Sequence, residues 1–296
     1  MDSKLNKGDK QILAFIALYR ILTVSQFAAL TQRSRQVIRR RLRYLSGEDL
    51  IINRMRGYGR SSGRTEEIIF LAEKSAGILK HEGLFSEISP LISPKNIDAI
   101  TVDHDLLIKW FYMHLIKVEN SIPDLTIKPY SSGFLRNSQG SYAFFDPRIR
   151  VESDDAFIEI IPDGIFTIWH KELEKGLLFF LEVDMDTEPM ASMDRSPKDI
   201  RQKILNYQAI FRKGHYKRFE NIFGFKFNGF RLLFMTNSPA RSASLSRLVQ
   251  EMPPSDFIWL TNQEKMFSDD LSAEIWARGG KTDRPPQSII GSYLAI

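Results

Sequence analysis

The sequence predicts a two-domain chain of mixed class, α/β (α+β overall), in which a small helical domain precedes a mixed-sheet domain. Three observations predict it. Three helical patterns and a strand–loop–strand pattern crowd into the first eighty residues. From residue 101 the order becomes helix, three strands, helix, strand, helix, strand, as in a layered α/β sheet. Charge is also split: residues 1–70 carry fourteen Lys/Arg against six Asp/Glu, or +8 in a chain of net +5, leaving −3 for the remainder.

Composition bounds the functions open to such a chain. Its 296 residues suit two domains, and 43% hydrophobic residues suffice for packed cores. The absence of cysteine excludes disulfides and thiolate metal sites and fits a reducing compartment. The leading MDSKLNKGDK has no apolar run, and no stretch approaches the ~20 apolar residues that span a bilayer. A cytoplasmic protein with no membrane partner is expected. No G-x-x-x-x-G-K-[ST] loop is present, which argues against a nucleotide hydrolase.

The first helix is expected from Asp9 to Arg20, with Ile12, Phe15, Ile16 and Tyr19 on one face. Thr23 is placed as the N-cap of a short helix, Val24–Leu30, that turns Phe27 and Leu30 inward. After a turn at Thr31–Ser34, a third helix over Arg35–Ser46 buries Val37, Ile38, Leu42 and Leu45. Its other faces carry Arg35, Gln36, Arg39, Arg40, Arg41 and Arg43. Next come a strand over Leu50–Arg56, a loop holding Tyr58, Arg60 and Arg64, and a strand over Glu67–Leu71, which together read as a hairpin. A helix from Glu73 to Leu79 closes the domain. This order is that of a winged helix-turn-helix, whose second paired helix meets the DNA major groove. The expected partner is double-stranded DNA. The contacting residues would be Arg35, Gln36, Arg39, Arg40 and Arg43 from the helix, with Arg56, Tyr58, Arg60 and Arg64 from the wing, because arginine serves both guanine edges and phosphates. By analogy with other winged helices, a homodimer is a further candidate.

Pro90, Pro94 and three serines mark residues 86–96 as a connector. The expected division is a winged-helix domain over 1–85, a linker over 86–100, an α/β domain over 101–265 and an extension over 266–296. A helix is predicted from Thr101 to Val118, followed by hairpins and loops broken by Pro123, Pro129, Gly133, Gly140 and Pro147. Phe157–Ile161 is expected to pair with Ile165–Trp169 across Pro162-Asp163-Gly164. Leu177–Asp184 is nearly continuously apolar until Glu182 and Asp184 emerge on one face of its end. Carboxylates crowded there call for a cation between them. With Asp163 they would suit Mg²⁺ or Mn²⁺, which favour hard oxygen ligands. A helix from Pro197 to Phe211 docks through Ile200, Ile204, Tyr207 and Phe211, and Lys203 stands at the edge of that stripe. Strands at Phe230–Thr236 and Phe257–Leu260 flank a helix over Ala240–Val249. The tail from about Lys281, with Pro285-Pro286, is expected to be loosely ordered.

Asp163 on the hairpin and Glu182-Val183-Asp184 on the next strand resemble the PD-(D/E)XK, restriction-endonuclease-like core. That resemblance implies a metal held by Asp163, Glu182 and Asp184. It places Asp184 where a catalytic lysine is usual, so Lys203 on the next helix would supply the lysine. The whole chain over about residues 10–215 resembles the replication-relaxation family of plasmid and mobile-element proteins. The shared features are a winged helix, Asp103-His104-Asp105-Leu106-Leu107, Pro-Asp-Gly, the Phe-rich strand into Glu-Val-Asp, and a Lys-Ile-Leu-Asn-Tyr helix. Two functions follow. One is a DNA-binding protein with a Mg²⁺- or Mn²⁺-dependent endonuclease domain, acting in replication, transfer or defence. The other is a non-catalytic regulator of replication or transcription on a nuclease-like scaffold, which the misplaced lysine favours. Either could engage other replication or transfer proteins.

Overall fold

A computed structural model describes residues 5–55, 66–81, 99–130, 134–136, 142–144, 147–152, 157–192 and 199–291. It divides into two compact units, residues 1–113 with 130–146, and residues 114–129 with 147–296.

In the first unit α1 (Lys7–Tyr19) opens on a capping box. Asn6 accepts the Asp9 N–H through its side chain, and the Asp9 carboxylate accepts the Asn6 N–H. Then follow β1 (Ile21–Thr23), α2 (Val24–Thr31), α3 (Arg35–Gly47), β2 (Ile51–Met55), β3 (Glu67–Leu71) and α4 (Glu73–His81). Thr23 caps α2 as predicted, in a second box with Gln26. Gln32, in the left-handed region at φ 54°, ends α2 and swings the chain into α3, which Ser34 caps. The three strands form one antiparallel sheet in the order β1-β3-β2. β1, only three residues long, gives too little periodicity to register in the sequence. Leu30 and Val37, predicted as core, are only half-buried, and Ile12, Ile16, Phe27, Ile38, Leu42 and Leu45 carry the packing. The wing tip with Arg56, Tyr58, Arg60 and Arg64 lies outside the described residues.

α5 (Ala99–Ser121) is longer than predicted, and the division between units falls inside it, after Met113. Its Val102 and Leu106 join Ile21, Ile68 and Phe70 in one buried cluster. Burial of those side chains against the winged sheet assigns the start of this helix to the first unit rather than to the α/β domain. The predicted linker lies mostly outside the described residues.

The remaining elements are β4 (Leu125–Tyr130), β5 (Phe134–Arg136), β6 (Tyr142–Phe144), β7 (Ile149–Glu152), β8 (Phe157–Ile160), β9 (Gly164–His170) and β10 (Lys175–Asp184). After them come α6 (Ile200–Lys213), α7 (Arg218–Phe223), β11 (Phe230–Thr236), α8 (Pro239–Gln250), β12 (Ile258–Asn262), α9 (Gln263–Ser268) and β13 (Ala277–Arg278). β5 and β6 form a hairpin in the first unit. The second unit is built on a six-stranded sheet in the order β13-β12-β11-β10-β9-β4. β10, β11 and β12 run parallel, while β9 and β13 are antiparallel to their neighbours. β8 pairs with β7 rather than with β9, and the hairpin partner of β9 is β10. Pro162-Asp163 is therefore a bend between two sheets and not a hairpin turn. The tail also departs from expectation. Ser288, Ile289 and Ile290 are buried, and Arg231 donates to the Ile289 carbonyl at 3.0 Å. No helix among the described residues is long and apolar enough to cross a membrane.

Candidate functional site

Two sites emerge, one in each unit. In the first, α3 docks through Ile38, Leu42 and Leu45 and turns Arg35, Gln36, Arg39, Arg40 and Arg43 to solvent. Arg41 is different. Its guanidinium forks onto Asp9 of α1, with Nε 2.7 Å from one carboxylate oxygen and an Nη on the other, and Asp9 is fully buried. That hydrogen bond raises the pKa of Arg41 against a small opposing effect of burial. Arg41 thus fastens the second paired helix to the body of the unit and leaves the outward face to the other arginines. Gln26 does a similar service for α2: its carbonyl accepts the Thr23 N–H at 3.0 Å and its amide donates to the Leu106 carbonyl at 2.9 Å.

The second site lies where β10, β11 and β12 end together, with Asp184 beside Thr236 and Thr236 beside Asn262. The carboxyl ends of parallel strands are the usual ligand-binding edge of such sheets. The end of β10 is buried, and Glu182 and Asp184 are only 2% and 5% exposed. Each is matched to its own cation. Glu182 accepts the Tyr207 hydroxyl on one oxygen, and on the other it meets Lys203 Nζ at 3.0 Å. Lys203 also reaches Glu188 at 3.0 Å. Asp184 receives a two-pronged grip from Arg241 on α8, at 2.6 and 3.3 Å, and the Asp186 N–H at 2.9 Å. Arg241 completes its donors on Asp186 at 3.0 Å and on the Glu188 carbonyl at 2.5 Å.

Asp163 lies close enough to Glu182 to raise its pKa, for a local reason. The β9–β10 ladder stops at Gly164↔Leu181, and the Asp163 carboxylate accepts the next free amide, Val183 N–H, at 2.8 Å.

Burial pushes Glu182 up, Lys203 pulls it back and Asp163 pushes again; with the Tyr207 hydrogen bond the balance comes to about 7. Burial opposes charge on Lys203, but Glu182, Glu188 and Asp163 outweigh it and hold the ammonium above the ordinary lysine range. Tyr207 is raised well above 10.0 by burial and by Glu182. Near neutral pH this is a lysine ammonium among acidic groups, of which Glu182 titrates in that range, with a neutral phenol donating to Glu182.

The structure brings Asp163, Glu182 and Lys203 together and separates Asp184 from them electrostatically. As a set, the three carboxylates do not fit one divalent cation. Asp184 is committed to Arg241, Glu182 has both oxygens engaged, and Asp163 is tied to the β10 backbone. Among the described residues no three His, Asp or Glu groups converge with metal-holding geometry. Sequence reasoning missed Arg241, which is separated from Asp184 by 57 positions. The one available signal for Arg241 was an arginine within the first turn after a buried strand, and it becomes informative only once β11 is known to lie beside β10.

Among solved structures, the chain is similar to a mutant of Lactococcus lactis ZitR, at 23% identity over 27% of this chain and 52% of that one, with a TM-score of 0.24. It is similar also to the adhesin competence repressor AdcR of Streptococcus pyogenes, at 18% identity over 27% of this chain and 56% of that one, with a TM-score of 0.23. The match thus spans about half the length of each. No curated protein sequence matches the chain. The model of the family described as replication-relaxation matches residues 13–224, well over half of the 296 residues, and the chain therefore belongs to the replication-relaxation family.

Proposed function

We propose that this protein binds double-stranded DNA through the outward face of α3 and regulates replication by binding, with the mixed-sheet unit as a non-catalytic scaffold. The observation that carries the reading is the sorting of charge on α3. Five long donors, Arg35, Gln36, Arg39, Arg40 and Arg43, face solvent, and Arg41 alone is withdrawn to anchor the helix. A helix presented in that way suits groove and phosphate contacts. The scaffold half of the reading is supported by cations already placed on both strand-end carboxylates, Lys203 on Glu182 and Arg241 on Asp184.

A second reading, a metal-dependent endonuclease, is favoured by one observation: Lys203 stands 3.0 Å from Glu182, with Asp163 beside them. One experiment separates the two. Purified protein is incubated with supercoiled plasmid, with and without Mn²⁺, while duplex binding is followed in parallel. Salt-dependent binding that is indifferent to metal, with no nicking, is the expected result. Nicking that requires Mn²⁺ and disappears in Glu182→Ala would replace the scaffold reading with the nuclease.

A further inference from the structure

The last described segment of the second unit builds a cavity that neither site above uses. β12 and β13 pair through Trp259↔Arg278 and Leu260↔Ala277. The chain then turns on Gly279 and Gly280, at φ 62° and 72°. A Cβ on Gly280 would stand 2.4 Å from the Ser246 carbonyl oxygen, so the turn is pressed against α8 and needs glycine. Gln250 donates to the Gly280 carbonyl at 2.5 Å. Beyond the turn the chain returns, and Trp276 and Gln287 exchange both backbone hydrogen bonds, at 3.1 and 2.8 Å. The loop 276–287 is thus clamped at its base and pinned at its turn.

Arg278, Lys281 and Arg284 of this loop, with Asp256, Pro285 and Gln287, line a cavity of about 180 Å³. A water needs only ~10–15 Å³ on this scale, so there is room for a phosphate group and its solvent. Lys281 is paired with Asp256 at 3.0 Å, and Arg278 donates its Nε to the Asp256 carbonyl at 3.2 Å. Arg284 makes no hydrogen bond or close ion pair among the described residues. The Lys281 hydrogen bond, against slight burial and with help from Arg278 and Arg284, holds Asp256 below the ordinary carboxylate range. Asp256 therefore neutralises one of the three cations and leaves an excess of two. Solvated arginines on a surface normally point apart. Here they converge on one concavity from a backbone already fixed, which lowers the ordering cost of binding.

We propose that this cavity binds phosphate, taking a backbone phosphate of duplex DNA. The source of the phosphate rests on the DNA-binding reading; the chemistry of the site does not. Guanidinium forks suit phosphate oxygens, and the cavity sits in the part of the chain whose net charge is otherwise negative.

The test uses the full chain, its Arg278→Gln/Arg284→Gln double variant and Asp256→Asn. Inorganic phosphate is titrated and followed by ³¹P line width, and binding to a mixed-sequence duplex is measured across salt. Wild type should broaden the phosphate signal and the double variant should not. Asp256→Asn, which removes the competing carboxylate, should bind phosphate more tightly, a gain that misfolding cannot mimic. The salt slope of duplex binding should fall by about 0.9–1.8 in the double variant, one or two phosphate contacts. Loss of phosphate binding with an unchanged slope would keep the site and overturn DNA as its source. Phosphate binding by a protein that binds no duplex would defeat the winged-helix reading and leave the site intact. Equal phosphate response in wild type and double variant would overturn the proposal.

Discussion

Arg241 and Asp184 are 9% and 5% exposed, so neither charge has solvent to fall back on when its partner is removed. Arg241→Ala strands the Asp184 carboxylate and should cost about 3–5 kcal/mol, read as a shift in the urea midpoint, whereas Asp184→Ala leaves Arg241 paired with Asp186 and the Glu188 carbonyl and should cost less. Replacing both by leucine and methionine should cost far less than the sum, because no charge is stranded. A double-mutant cycle that comes out additive would show that the fork contributes little. Glu182 yields a pH prediction. Its folded value of about 7 lies above the ordinary 4.5, so between those values the folded state holds more protons than the unfolded state. Its contribution to stability therefore falls as pH rises through that window and levels off above it. His114 works in the opposite direction. Burial lowers its pKa below 6.5, against Asp270, so its contribution rises with pH up to about that value. The two overlap, and the comparison to make is wild type against Glu182→Gln at pH 5 and pH 8. The variant should lose the falling component; identical pH profiles would place Glu182 at an ordinary pKa.

At the scale of elements, α3 separates fastening from contact within three consecutive arginines. Arg40→Ala should leave the melting temperature unchanged and reduce the salt slope of DNA binding by about 0.9, one phosphate contact. Arg41→Ala should lower the melting temperature, because it strands the buried Asp9. The reverse pattern would mean that the outward face is misassigned. Gln26→Leu should destabilise the first unit by about 1–3 kcal/mol, because it orphans the Thr23 N–H while the Leu106 carbonyl keeps its place in the α5 ladder, and thermal unfolding would show it. The elements legible from sequence are those stabilised by neighbours in the chain. Thr23 as a cap, the arginine-bearing helix after Ser34 and the unbroken apolar run of β10 all declare themselves within a few residues. The partner of β9 did not, because Pro162-Asp163-Gly164 satisfies a turn preference while the ladder that forms is β9 on β10. Local chemistry decides whether a strand exists; pairing is decided by what covers it. The carboxylates show the same limit. Alternation along β10 correctly put Glu182 and Asp184 together, and their assignment to Lys203 and Arg241 depends on helices that arrive from distant sequence.

For the molecule as a whole, the unexpected order lies at its end. Pro285-Pro286 suggested a loose tail, yet Ser288, Ile289 and Ile290 are buried and the Trp276 ring is fully enclosed. Ser288 donates to the Ser272 carbonyl at 2.5 Å. Sequence could not signal this, since the partners of the tail, the Ser272 carbonyl and the Arg231 side chain, stand far from it in the chain. β13 covers only two residues of β12, through Trp259 and Leu260, and β12 is buried along its whole length. A chain ending at residue 275 would lose that cover and offer an apolar strand with open amides and carbonyls to any second copy. The short closing strand thus acts as a seal on the sheet. Its loss should appear first as concentration-dependent self-association, before any change in how the protein meets DNA.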